Sequence, residues 1–394
     1  MKHNGVRGLY GSDLITEKVY YQIPFMVREY LGIKKLAIAH DPRPSSQSLY
    51  QSLKQGAKDA GLQVFSGGML PTPIIAKWCY DNHMAGLVVT ASHNPVSDNG
   101  LKALGFSFPE AVCQDVKQLV LRDWQHCSNG EIQDSHALMK EAYVRKLKIR
   151  SSKPIDCVID AASGAWAYHL DVLEAIGVHP TPLYPINPHQ INTSGCVGIT
   201  TRITVYEPHP LVVCFDGDGD RLNIVANGQL LDGDDILLQL SRGCQQTAVV
   251  TEMANQALLH YFKRTGKPYA ISKVGDHHVY ALMQQTNARF GAEPCGHIID
   301  IEWMPLSDPV YILAKLLQCA TEYDVFKQQL DKAFQYHTVL PKSKDINQIK
   351  KKLSHPGVRT IIRHSQTEPI IRVMLEGDQT LIHQIVAEKL SDLV

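Results

Sequence analysis

The sequence predicts an α/β protein built of several units, each a sheet flanked by helices, closed by a smaller α+β unit. Three observations predict it. Short apolar runs alternate with helical stretches, and this pattern restarts at Asp156 and again at Ala248. The chain has 394 residues, too many for one hydrophobic core. From about residue 327 the alternation gives way to short strands paired around one polar loop.

In chain order, Leu14 to Leu31 has helical periodicity, with Pro24 expected to kink or interrupt it. Leu36 to Ala39 reads as a strand, His40 to Ser46 as a loop holding Asp41 and Arg43, and Ser46 to Ala60 as a helix stopped by Gly61. Val64-Phe65 is a short strand, Pro71-Thr72-Pro73 a break, and Gly86 to Val89 a strand that ends in a polar cluster. Such alternation implies a mostly parallel sheet, whose sites form at the carboxyl ends of its strands. Lys146 to Lys153 reads as a linker. The second unit offers strand Asp156 to Asp160, helix Ala165 to Ile176, strand Leu211 to Phe215 and helix Asp232 to Leu240. The third offers strand Ala248 to Val250, helix Met253 to Arg264, strand Ala270 to Ser272 and helix Val279 to Gln285. The last offers helix Ile346 to Leu353, a turn at Pro356-Gly357, strands Val358 to Ile362 and Ile370 to Glu376, and a helix from about Gln379. The units are drawn at 1–149, 150–241, 242–326 and 327–394.

Composition narrows the function. Lys plus Arg equals Asp plus Glu at 39 each, which argues against a nucleic-acid surface and against attraction to anionic lipid. Nine cysteines stand without a C-x-x-C pair, which argues against zinc and a disulfide framework and for a reducing, cytoplasmic setting. The N-terminal MKHNGVRGLYGSD lacks the apolar run of a signal peptide, and no run approaches the length of a membrane span.

Four segments concentrate chemistry. Val88 to Lys102, VVTASHNPVSDNGLK, brings Ser92, His93 and Lys102 to the end of a strand. No G-x-S-x-G elbow exists, and neighbours on an extended strand face opposite ways, so a Ser92-His93 hydrolase pair is poorly supported. Lys102 is the better proton-transfer candidate if burial or nearby cations lower its pKa. Phe215 to Arg221, FDGDGDR, alternates Asp216, Asp218 and Asp220 with glycines that let the carboxylates converge. Converging hard anionic oxygens suit Mg²⁺. An EF-hand is excluded because Arg221 stands where glycine is needed and Asn227 where the bidentate glutamate should be. Arg363 to Pro369, RHSQTEP, offers a guanidinium and two hydroxyls suited to a phosphate dianion. Gly291 to His297, GAEPCGH, places Glu293 where it could accept from sugar hydroxyls, although a plain turn has the same composition. Lys273 to His277, KVGDH, is equally open.

Together these segments resemble the α-D-phosphohexomutase family. TASHNP is similar to its phosphoserine loop, FDGDGDR to its magnesium loop, GAEPCGH to its sugar loop and RHSQTEP to its phosphate loop, in the family's order. SDNGLK, SKVGDHHV and TEPIIRVMLEG are most similar to the branch acting on glucosamine phosphates; the glucose and mannose phosphate branches share the first two loops. The departures are Asn4 for aspartate before GVRG, Cys295 for serine in the sugar loop, Gln366 for glycine or asparagine in the phosphate loop, and MPLSDP (304–309) for a threonine-rich stretch.

The resemblance implies three αβα domains with mixed sheets and a C-terminal α+β domain like the TATA-binding protein, around one cleft. It implies that Ser92 carries a phosphoryl group and exchanges it with glucosamine 6-phosphate or 1-phosphate through a bisphosphate sugar, with a hexose bisphosphate as activator. One Mg²⁺ would be held by Ser92, Asp216, Asp218 and Asp220. Arg7, His93 and Lys102 would serve catalysis. Arg221, Lys273, Glu293, Cys295, His297, Arg363, Ser365, Gln366, Thr367 and Arg372 would bind substrate. The expected partner is a small phosphosugar, with no nucleic acid or membrane, and the expected assembly is a monomer or homodimer. A non-catalytic phosphosugar-binding protein is the rival from another class.

Overall fold

The fold is that of a computed structural model of the chain, which describes residues 5–12, 14–106, 122, 124–127, 129–147, 154–319, 330–365 and 370–390. Among the described residues four sheets follow one another along the chain. The first contains β1 (Gly5–Leu9), β2 (Lys35–His40), β3 (Gln63–Met69), β4 (Ala85–Val89), β5 (Asp98–Leu104) and β6 (Glu131–Asp134), in the order β1-β5-β4-β2-β3-β6. The second orders β7 (Ile155–Asp160), β8 (Val178–Pro182), β9 (Leu211–Cys214), β10 (Asn223–Ala226) and β11 (Gln229–Leu231) as β11-β10-β9-β7-β8. The third orders β12 (Ala248–Thr251), β13 (Tyr269–Ser272), β14 (Phe290–Ala292) and β15 (Ile298–Asp300) as β13-β12-β14-β15. The fourth is β16 (Phe334–Pro341), β18 (Ile370–Gly377) and β17 (Val358–His364), with β18 central and antiparallel to both.

The first three sheets are mixed, with parallel pairing at their centres and antiparallel strands toward one edge. Their centres are parallel, as in β2 with β3 and β4, but β5, β10 and β15 return antiparallel. β10 and β15 are short, and all three begin beside polar or glycine-rich turns, so their apolar signal is weak. β5 is the one that matters most. Asp98-Asn99-Gly100 looks like a loop in sequence, yet it is strand, because a Cβ at Gly100 would lie 2.4 Å from Val6 O and 2.6 Å from Thr90 O. Only glycine admits both neighbouring backbones there.

Alternate residues of each central strand face opposite layers, which explains their unbroken apolar runs. Ala37, Ala39 and Val88 of the first sheet, Val213 and Phe215 at the end of the second, and Ala248 and Val250 of the third all enter one continuous core. Their neighbours Leu36, Ile38, Leu87 and Val89, then Val212, Cys214 and Val225, then Val249 and Ile299 form a separate core behind each sheet. The fourth sheet has its own core of Leu340, Ile371, Val373 and Leu375 against Ile349 and Ile382 of the helices Ile346–Leu353 and Gln379–Ile385.

Several helices differ from expectation. Pro24 does not break the helix Glu17–Leu31, which runs through it from a Thr16 cap to Gly32 at φ +64°. The proline is buried with Tyr20, Ile23 and Val27, and burial of that face outweighs one lost backbone bond. Pro71-Thr72-Pro73 does not merely break the chain; it opens the helix Thr72–Asp81, with proline at its first turn. Ala165 to Ile176 is not one helix but a 3₁₀ turn, Ala165–Tyr168, and a short helix, Leu170–Glu174. The helix Pro309–Cys319 and the strand β16 carried no reading in the sequence. No described helix is long and apolar enough to cross a membrane.

Candidate active site

Ser92 sits just past the carboxyl end of β4, fully buried, at φ +51°. A left-handed conformation costs a non-glycine residue about 1–2 kcal/mol, so the surroundings must hold it. They do. The Ser92 amide donates to Thr90 Oγ1 at 2.8 Å. The Ser92 carbonyl accepts from Arg43 Nη2 at 2.8 Å and from Asn192 Nδ2 at 2.6 Å. Arg43 is buried with Asp41, which accepts from its Nε at 3.0 Å and from Thr90 Oγ1 at 2.6 Å. The same guanidinium donates to the carbonyls of Asn94, Pro95 and Asp98, so one cation shapes the whole turn.

The Ser92 hydroxyl donates to Asp216 Oδ2 at 3.1 Å, linking the first sheet to the second. Asp216, Asp218 and Asp220 are buried at 0–4% exposure, with one oxygen of each within 4.8 Å of the others. Asp216 Oδ1 accepts the amides of Gly219, Asp220 and Arg221 at 3.1–3.3 Å, which folds the loop over it. Gly219 at φ +78° makes that turn, and Trp166 Nε1 donates to its carbonyl at 2.8 Å. Burial first, then Asp218 and Asp220, push Asp216 up to about 7. Burial works the same way on Asp218, but Lys102 more than offsets it and holds that carboxyl well below its usual range.

Lys102 stands on β5 opposite Val88 of β4 and Gly5 of β1. Its ammonium donates to Asp218 Oδ2 at 2.6 Å and to Asp220 Oδ2. Burial opposes the charge, but the two carboxylates win and hold Lys102 above the ordinary lysine range. The lowered value sought from the sequence is therefore the reverse of what these surroundings give.

His93 lies between two guanidiniums. Its Nδ1 is 2.7 Å from Arg221 Nη2 and 3.5 Å from Arg7 Nη1. Both neighbours can only donate, so Nδ1 accepts and the imidazole is neutral. Burial, then Arg221 and Arg7, push His93 down to about 2. Arg221 Nε donates in turn to His297 Nε2 at 3.0 Å, at the end of the GAEPCGH segment.

That segment is the hairpin between β14 and β15. It leans on the carboxylate loop and on the helix Gly233–Ser241. Leu222 N donates to Gly296 O at 3.0 Å, and a Cβ at Gly233 would lie 2.0 Å from Glu293 O. Glu293 is 5% exposed and accepts from the Gly275 amide at 2.8 Å. Cys295 opens onto the surface, while crowding by protein on its other sides pushes its thiol up to about 12. Ser307 joins the two loops, accepting from Ile298 N at 2.8 Å and donating to Asp220 O at 2.7 Å. Within the departing MPLSDP stretch, Asp308 accepts from Tyr143 at 2.7 Å and from Trp303 Nε1 at 2.7 Å.

Arg363 of β17 faces Arg372 of β18 directly, and both line a cavity of about 210 Å³ with Met253 and His337. Burial, then Arg372, lower the Arg363 pKa, and its Nε is buried without a partner. Two facing guanidiniums with an unspent donor suit an anion. Ser365 N closes the strand pair by donating to Ile370 O at 2.9 Å. Lys273 is exposed beyond β13. Gln366 and Thr367 lie outside the described residues.

Among the described residues two clusters could hold a metal. Asp218 Oδ1 and Asp220 Oδ1 are buried oxygens with no hydrogen-bond partner, aligned with a third carboxylate, so the aspartates fit a hard divalent cation such as Mg²⁺. Glu293, Cys295 and His297 also group within 4.8 Å, but Arg221 already occupies His297 Nε2 and Gly275 an oxygen of Glu293. The second cluster is better fitted to hydroxyl groups than to an ion.

The family models for the phosphoglucomutase/phosphomannomutase alpha/beta/alpha domains I and III match residues 1–123 and 232–337, together more than half of the chain. The chain belongs to this phosphohexomutase family. A phosphoglucosamine mutase from Desulforamulus reducens is 29% identical to it, over 99% of this chain and 98% of that protein. One from Francisella tularensis subsp. novicida is 28% identical over 99% and 97%. Among solved structures, a phosphoglucomutase/phosphomannomutase family protein from Burkholderia thailandensis superposes with a TM-score of 0.80 at 22% identity, over 98% of this chain and 95% of that one. N-acetylphosphoglucosamine mutase from Aspergillus fumigatus, in complex with GlcNAc-6P and magnesium, gives 0.64 at 15% identity over 98% and 94%. Sequence reasoning did not single out Thr72, Asn192 or Ser307 within this family frame. Each is an isolated polar residue whose partner comes from a distant segment, as when Thr72 Oγ1 donates to Asp218 Oδ2 at 2.8 Å.

Proposed function

We propose that this phosphosugar mutase interconverts glucosamine 6-phosphate and glucosamine 1-phosphate, with Ser92 as the phosphoryl carrier and a hexose bisphosphate as the intermediate and activator. The observation that carries the reading is the Ser92 hydroxyl held 3.1 Å from a carboxylate of a buried aspartate cluster, in a turn that a buried arginine fixes. The relatives named phosphoglucosamine mutase, matched over nearly their whole length, support the substrate.

In this reading each of the units 1–149, 150–241, 242–326 and 327–394 supplies one loop. Asp216, Asp218 and Asp220, with an oxygen on Ser92, would hold Mg²⁺. The ion supplies charge neutralisation to the transferring phosphoryl group. In the transfer, the O–P bond at Ser92 breaks, a new P–O bond forms to a sugar hydroxyl, and the proton of that hydroxyl ends on the departing Ser92 oxygen. The reverse transfer from the other end of the bisphosphate restores phosphate on Ser92. Arg7 and Arg221 add positive charge beside the serine turn. A neutral His93 keeps both guanidiniums aligned and takes no proton itself. Lys102, held as an ammonium by Asp218 and Asp220, serves the phosphoryl oxygens as a cation and takes no proton in that state. Glu293, Cys295 and His297 face the sugar, with Lys273 at the rim. Arg363, Arg372, Ser365, Gln366 and Thr367 grip the non-reacting phosphate.

The test is a coupled assay of glucosamine 6-phosphate conversion, with hexose bisphosphate and Mg²⁺, beside the same assay on glucose and mannose phosphates. Ser92→Ala should abolish turnover and the phosphate detected on Ser92 by intact mass. Full activity in Ser92→Ala sinks the carrier role, and a higher kcat/KM for another hexose phosphate sinks the substrate.

A further inference from the structure

Asn192 follows the 3₁₀ turn Pro188–Gln190, in the connection between β8 and β9 of the second sheet. It is 8% exposed and left-handed at φ +62°, a conformation asparagine tolerates better than most residues. Its backbone amide donates to Ala162 O at 2.9 Å, which fixes its place. Its carboxamide spans two loops. Nδ2 donates to Ser92 O at 2.6 Å and to Asn94 O at 3.0 Å. Oδ1 accepts from Gly217 N, inside the aspartate loop, at 2.8 Å.

The partners dictate the amide's orientation. Two carbonyls can only accept and one amide N–H can only donate, so the NH₂ must face the serine turn and the oxygen the aspartate loop. No other side chain of this size offers both. Aspartate would set an anionic oxygen against two carbonyl oxygens, and leucine would strip the Gly217 amide of its acceptor and leave the two carbonyls to Arg43 alone. The fit is tight: a Cβ at Gly217 would lie 2.8 Å from both Asn192 Nδ2 and Ser92 O.

The other restraints on the Ser92 backbone, Arg43 and Thr90, come from connections of the first sheet, so they fix the turn but not its position over the aspartates. Asn192 is the side chain that grips the carbonyl of Ser92 and the amide between Asp216 and Asp218 at once. We infer that Asn192 is a positioning residue for phosphoryl transfer, a neutral brace that holds the Ser92 hydroxyl in register with the aspartate cluster. The contacts of its carboxamide are to the backbone of the two loops. The inference rests on the proposed role of Ser92.

A brace of this kind acts on the chemical step and not on sugar binding. A displacement of about 1 Å at a reacting atom costs on the order of 100-fold in rate. Two variants test it. Asn192→Asp keeps the shape and the acceptor and loses both donors. Asn192→Gly keeps the left-handed backbone and loses the whole brace. Both should lower kcat by roughly 10- to 100-fold with KM within about twofold of the parent. Both should also slow the transfer of phosphate from a hexose 1,6-bisphosphate to Ser92, followed by intact mass with no monophosphate present. That second readout separates the two ideas. A parent chain that takes phosphate on Ser92 but does not convert glucosamine phosphates refutes the substrate reading and leaves the brace to be judged by the transfer rate. Either variant matching the parent in kcat and transfer rate overturns the brace, as does a loss that falls on KM alone. A fall in melting temperature for both variants that accounts for the lost activity by the fraction unfolded also overturns it. A parent that never takes phosphate on Ser92 overturns both.

Discussion

Arg221 lies 2.7 Å from His93, with its Nη2 aimed at an imidazole nitrogen that can only accept. In this contact the Nδ1 lone pair is taken up by the guanidinium. An asparagine side chain in place of His93 can set an oxygen near the same point, whereas leucine cannot. His93→Asn should therefore keep kcat within about tenfold of the parent, and His93→Leu should fall at least about tenfold further. With His93 pushed down to about 2, the pH profile of kcat/KM should show no limb from this residue near the ordinary histidine value. A limb near about pH 6.5 that vanishes in His93→Asn would restore the base role.

Asp216 and Asp218 give a pH dependence of known sign. Asp216, raised to about 7 by burial and then by its neighbours, binds its proton more tightly folded than unfolded. Its contribution to stability is complete below the unfolded carboxylate value, near about 4, and is lost as pH rises through about 7. Asp218 is shifted the other way; burial opposes the shift and Lys102 overcomes it. Its contribution is present above about 4 and is lost as pH falls further. Metal binding requires the carboxylate form, so Mg²⁺ must displace the Asp216 proton below about pH 7. The rise in melting temperature on adding Mg²⁺ should grow between about pH 5 and 7 and then level. A rise independent of pH across that window contradicts the assignment.

Arg43 tests the serine turn. Its side chain and that of Asp41 are both 0% exposed, and its guanidinium serves four carbonyls besides the carboxylate. Arg43→Met should cost about 3–5 kcal/mol, because it strands a buried charge. Denaturant unfolding measures that loss, and a cost below about 1 kcal/mol would show that water or a rearranged turn replaces the arginine.

Cys295 tests the electrostatics of the sugar hairpin. Burial raises its thiol to about 12, with Arg221 opposing and Glu293 reinforcing. Although open to the surface, it should be alkylated by iodoacetamide at least about tenfold more slowly than an ordinary thiol at neutral pH. Peptide mapping by mass follows the rate, and labelling as fast as that of an ordinary thiol would show that the Cys295 thiol is not raised.

The sequence revealed the loops that compress several functional groups into a few residues, above all TASHNP and FDGDGDR. It also revealed the buried strands, whose runs are apolar on both faces. What stayed hidden depends on contacts between distant segments. Gly100 makes β5 a strand because of Val6 and Thr90, and nothing next to it in sequence says so. Thr72 and Asn192 are single polar residues in ordinary turns until the second sheet and the aspartate loop meet them. The state of Lys102 could not be read either, because its partners lie more than a hundred residues away.

The separate interiors leave the two parts of the molecule unequally free to vary. A change of volume at Phe215 or Val213 is felt through packing shared by three sheets, directly behind Asp216. A change at Ile371 or Leu375 is absorbed within the last sheet, behind Arg363 and Arg372. Substitutions there can therefore shift the Arg363–Arg372 pair without disturbing the packing behind the aspartate loop. The hairpin carrying Glu293 has no such freedom, because Phe290, Ala292 and Ile298 share the interior of Phe215.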